Sequence, residues 1–170
     1  MTEKTYAKAE VEKLLDALEV HAREVAAVAD DAQKKAEKNS FKAYQSFRNK
    51  SGEFATFSIL IEGRLEHLEG GLAPTLQEHF DDLTAFTYKL LIKTSIQFLW
   101  ALVQHTELPL GTREVFVQEL RTLYETKKKL SEPRYASRLD EEAKRKLHVA
   151  EEILTEIIDK APSLLQFGTR

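Results

Sequence analysis

Residues Pro74–Glu107, PTLQEHFDDLTAFTYKLLIKTSIQFLWALVQHTE, decide the fold, and their centre, Leu83–Val103, holds 14 apolar residues among 21. At about 100° per residue, Lys89, Lys93, Gln97 and Gln104 fall on one narrow stripe, and apolar side chains cover the rest of the circumference. A helix of this kind is either wrapped by other helices or is a poor membrane span. Lys89 and Lys93 would each cost about 2.5 to 3.5 kcal/mol near a bilayer centre, and Thr84, Thr87, Thr94 and Ser95 add polarity. The segment is therefore expected to be the central strut of a helical bundle.

The sequence on either side fits that expectation. Val11, Leu14, Leu18, His21, Val25, Val28 and Ala32 alternate at spacings of three and four, an a/d seam in a first helix expected over about Thr5–Asn39. Leu15, Ala22, Ala29 and Ala36 form a second row beside it. A shorter piece, Ser40–Arg48, carries Phe41, Tyr44 and Phe47, and Asn49-Lys50-Ser51-Gly52 reads as an interruption with Ser51 as a cap. Phe54, Phe57, Ile61, Leu65 and Leu68 then make a new stripe, closed by Gly70-Gly71 before Pro74.

Beyond the strut, Leu108-Pro109-Leu110-Gly111 stops the helix, and Thr112 is placed to cap the next, whose face is Phe116, Leu120, Leu123, Lys127 and Leu130. Pro133 ends that helix. Ser137, three residues before Asp140, has a capping-box-like spacing for a last helix carrying Ala143, Leu147, Ala150, Leu154, Ile157 and Ala161. The tail 162–170 either docks back on the bundle or binds a partner. No strand alternation or repeat appears. The fold class expected is all-α: one domain, 1–170, an extended antiparallel bundle of five or six helices with a long N-terminal helix and a buried central one. The segment 1–39 either folds back on the bundle or pairs with a second copy.

Composition narrows the chemistry. The absence of cysteine removes disulfides, thiolate metal sites and cysteine nucleophiles, and Met1–Ala9 has no apolar core of a secretory signal, so a cytoplasmic setting is expected. Charge is uneven: residues 51–110 carry 3 basic and 8 acidic residues, whereas 121–146 carry 9 basic and 5 acidic. The basic run holds Lys127, Lys128, Lys129, Arg134, Arg138, Lys144 and Arg145, a candidate patch for nucleic acid or anionic membrane. Intervening Glu125, Glu132 and Asp140–Glu142 favour an ordinary charged turn between two helices.

The histidines do not match a known bundle metal motif. The di-iron pattern needs Glu three residues before His, yet Leu18, Arg64, Leu76, Leu102 and Arg145 stand there, and His-Glu-x-x-His is absent. Carboxylates near the Gly70-Gly71 turn leave weak metal candidates in His67, His79, Glu66 and Asp82. His67-Leu68-Glu69-Gly70-Gly71 resembles the histidine phosphotransfer motif, in which Lys and Gly follow an exposed histidine three and four residues later. Here Gly70 occupies the third position and the lysine is missing. No glycine-rich phosphate loop, nucleophile elbow or acid–base pair is recognisable, so no catalytic residue and no cofactor is expected.

The leading expectation is a non-enzymatic interaction protein, an adaptor, scaffold or assembly component. It would work as a homodimer paired through a coiled-coil-like seam of Val11, Leu14, Leu18, His21 and Val25, with a further protein partner unidentified. A histidine and carboxylate site protein, by phosphotransfer or metal binding, is the alternative. Nucleic-acid or membrane binding through 121–146 is a third.

Overall fold

The computed structural model describes residues 4–35, 41–103 and 112–160. The N-terminal helix α1 (Lys8–Lys35) buries Val11, Leu15, Leu18, Ala22, Val25, Ala29 and Ala32, a 4-3-4-3 seam in which Leu14, His21 and Val28 are the half-buried flank. The buried row is thus centred on the leucine-and-alanine positions rather than on Leu14 and His21. The reason is packing against two neighbours at once: α1 lies on both α2 and α3, and alanines let both approach closely.

Helix α2 runs unbroken over Phe41–Glu66, which corrects the interruption expected at Asn49–Gly52. Ser51 is buried and its Oγ donates to the Phe47 carbonyl at 2.8 Å, a back-bond inside the helix instead of a cap. Phe47 and Phe54, on either side, are fully buried, and their packing outweighs the weak propensity of the polar tetrapeptide. Gly70 and Gly71 turn the chain with φ of 82° and 89°, a region that favours glycine, and Pro74 opens helix α3 (Pro74–Val103). The turn is tied to the N-terminal segment, since the Tyr6 N–H donates to the His67 carbonyl and the Glu69 N–H to the Tyr6 carbonyl, both at 2.9 Å.

Helix α3 is the shared strut. Its Leu76, Phe80, Leu91, Phe98 and Leu102 join the α1–α2 cluster, while Ile92, Ile96 and Leu99 join Leu120, Leu123, Leu130, Ala150 and Leu154 from α4 (Thr112–Leu130) and α5 (Glu141–Lys160). Cross-links give the directions. Glu24–Lys50 with Glu10–Arg64, and Tyr44–Phe98, make α2 antiparallel to α1 and α3; Ser95–Glu119 with Asp81–Arg134 runs the α4 side back along α3. The architecture is an all-α bundle, as the strut implied.

A short 3-10 helix, Pro133–Arg138, joins α4 to α5 and contains Ser137. The N-cap of α5 is Asp140, whose Oδ1 accepts from the Ala143 N–H at 2.7 Å, so the capping residue expected at Ser137 lies three positions further on. The expected stop at 108–111, the residues 36–39 of the first helix, Gln104 and the tail 162–170 lie outside the described residues. Among those described, no helix is long and apolar enough to cross a membrane.

Candidate functional site

The seam expected to form a dimer is occupied within the chain. Val11, Leu18 and Val25 have no exposed surface, and they pack in the cluster built with α2 and α3. Leu14 packs partly against the same cluster, and His21 lies against the Phe57 ring at 5.4 Å between centroids.

Among the described residues, one apolar surface that remains open is on α2; Val20, Leu72, Phe86, Trp100 and Tyr124 are exposed elsewhere. On its outward side, Gly52, Thr56, Ile59 and Gly63 follow at spacings of four, three and four, one stripe of a helix, with Leu60 beside it. Ile59 is 71% exposed and Leu60 45%. A Cβ added at Gly52 or Gly63 would meet nothing within 4 Å among the described residues, so no contact among them requires either glycine. The spacing is visible in the sequence, but a break expected at Asn49–Gly52 leaves Gly52 outside the helix that carries Thr56, Ile59 and Gly63.

The candidate metal residues near the turn do not converge. His67 Nδ1 lies 2.8 Å from the Gly63 carbonyl, His79 faces Glu19 at 3.6 Å, Asp82 accepts from Arg138 at 2.6 Å, and Glu66 is exposed at the end of α2. The phosphotransfer resemblance gains no second group, because no lysine stands near His67 in the motif's place. A different histidine does meet two carboxylates: His21 and Glu24 of α1 with Glu53 of α2, whose potential ligand atoms all lie within 4.8 Å of one another.

The basic run is largely neutralised by partners inside the chain. Lys127 pairs with Glu151, Lys129 with Glu132 at 3.4 Å, Arg134 with Glu62 at 2.6 Å and Glu132 at 3.1 Å, Arg138 with Asp82, and Lys144 with Glu141 at 3.1 Å. Lys128 and Arg145 are exposed. Arg134 also lies over the fully buried Tyr135 ring at 4.8 Å, and burial pushes the Tyr135 phenol well above its ordinary range. These arginines fasten the α4–α5 connection to α2 and α3. On the strut, Lys89 reaches the Arg138 carbonyl at 3.2 Å and Asp140 at 3.7 Å, and Lys93 reaches Glu142 at 3.1 Å, so its polar stripe receives the start of α5. Phe98, on the opposite side of the strut, stacks on Tyr44 at 3.7 Å, and Trp100 is exposed.

A buried polar group joins α2, α3 and α4. Glu119, 2% exposed, accepts a hydrogen bond from Ser95 and lies 3.5 Å from Arg48 Nε, while Arg48 Nη2 donates to Thr122 at 2.5 Å. Burial, and then the Glu119 charge, push the nearby Tyr44 phenol far above its ordinary range. Glu119 is enclosed by packed side chains and only Arg48 keeps part of its side chain in solvent, which suits register between helices better than chemistry on a substrate.

No protein-family model, curated protein or solved structure matches the chain.

Proposed function

We propose that the protein is a non-enzymatic interaction protein whose associating surface is the outward face of α2, and that its first partner is a second copy of the same chain. The observation that carries this reading is the open stripe Gly52, Thr56, Ile59 and Gly63 with the exposed Ile59 and Leu60. Each glycine costs a helix interior about 0.8 to 1.0 kcal/mol relative to alanine. Among the described residues, nothing uses the space that cost leaves open. A helix approaching closely would use it, as small residues let backbones come together.

The pattern is also self-complementary. About its midpoint, glycine stands at both ends with Thr56 and Ile59 between. Two antiparallel copies would set Ile59 of one chain against Thr56 of the other and each Gly63 against a Gly52, the isologous contact that a two-fold dimer needs. Full burial of an isoleucine contributes about 1.5 to 3 kcal/mol, and a dimer would bury two.

The stripe separates association from folding. Gly52→Ala and Gly63→Ala stabilise an unassociated helix by roughly 0.8 to 1.0 kcal/mol each, yet place methyl groups in the proposed contact. Sedimentation equilibrium on these variants and on Ile59→Arg is therefore expected to give weaker self-association with no loss of thermal stability in either alanine variant. Unchanged association in Ile59→Arg would remove α2 as the interface.

A further inference from the structure

We propose that His21, Glu24 and Glu53 form a surface site for a divalent transition-metal ion of the zinc type, with the Lys50 ammonium as its built-in competitor. The three ligands come from two helices and combine an imidazole with two carboxylates, a set that suits zinc. Their potential ligand atoms lie within 4.8 Å of one another; around a tetrahedral zinc, ligand atoms at about 2.1 Å from the metal stand about 3.4 Å apart. Both glutamates are about half exposed and can close that difference by side-chain rotation alone.

Two further contacts show the place to be arranged for a cation. Lys50 Nζ lies 3.3 Å from Glu24 Oε2 and 3.1 Å from Glu53 Oε2, so one positive charge already sits between carboxylates that would otherwise repel. The imidazole lies against the Phe57 ring at 5.4 Å between centroids, and its Nδ1 faces Glu24 at 3.8 Å. A zinc ion would bring two charges where Lys50 brings one and would add the imidazole as a ligand. Lys50, on a flexible stem at the surface, can turn outward. Three protein ligands leave a coordination position for water, and binding would clamp α1 to α2. His79 and His148 each face one carboxylate, Glu19 and Glu152, and do not make such a set.

The site is independent of the dimer reading, and its test is calorimetric titration of the full chain with zinc chloride. The expected result is one zinc per chain, weakened at least about tenfold by His21→Ala, the lower end of what even outer-shell changes cost at metal sites, and tightened by Lys50→Met. Ring-nitrogen shifts of His21 in the unmodified chain on adding zinc provide a readout that needs no variant. Failure of the unmodified chain to take zinc, binding insensitive to His21→Ala, or no tightening in Lys50→Met would each overturn the proposal.

Discussion

Replacing Arg48 by methionine removes one charge from the buried group that holds α2 to α4 while keeping most of the aliphatic stem. Glu119 is 2% exposed and would then have lost its cation, with the Ser95 hydroxyl still donating to it. At 3.5 Å and an effective dielectric of about 20, the Coulomb attraction between the two groups is roughly 5 kcal/mol before desolvation is counted. Breaking a buried pair from one side costs about 3 to 5 kcal/mol. Arg48 keeps a quarter of its side chain in solvent and Ser95 still donates, so the lower end, about 3 kcal/mol, is expected. That is a large part of the roughly 5 to 15 kcal/mol that holds a typical domain folded. Urea unfolding followed by far-ultraviolet circular dichroism, at one fixed protein concentration, measures it. The double variant Arg48→Met with Glu119→Met removes both charges and is expected to be more stable than Arg48→Met alone. A loss below about 1 kcal/mol in Arg48→Met, the range of exposed ion pairs, would refute the reasoning, as would a double variant no better than the single.

Leu18→Ala, at a fully buried seam position, is expected to cost about 2 to 5 kcal/mol in urea unfolding and to leave the solution mass unchanged, because its contacts are within the chain. Tyr44 and Tyr135 have folded-state pKa values raised by burial, so their stabilisation is complete below the unfolded value of about 10 and falls away as pH rises beyond it. Ultraviolet titration should show their phenolate absorbance appearing only together with alkaline unfolding. The Asp140 carboxyl is held below its ordinary value of 3.8, first by the hydrogen bond from the Ala143 N–H and then by Lys89. Its stabilisation is present above 3.8 and lost as pH falls through the lowered value, so melting curves of Asp140→Ala and the unmodified chain should differ at neutral pH and converge in acid.

What was legible in the sequence follows the range of the forces involved. The near-continuous apolar circumference of Leu83–Val103 is a local property, and it led directly to a strut shared by two apolar clusters. The α1 seam was also local, but whether it closes in cis depends on α2 and α3, which no spacing within α1 reveals. Asn49–Gly52 resembled a break because propensity is weak evidence; burial of Phe47 and Phe54 overrides it, and Ser51 turns its hydroxyl inward. The basic run looked like a patch because its partners Glu62, Asp82 and Glu151 belong to other helices. His21 and Glu53 are 32 positions apart, and their meeting depends on the register of α1 against α2, which only packing sets.

Solution mass of the unmodified chain by size-exclusion light scattering, across a wide concentration range, tests the proposed association most directly. The mass is expected to rise with concentration to twice 19.5 kDa and to fall back to the single value in Ile59→Arg. A mass of 19.5 kDa at every concentration would contradict it.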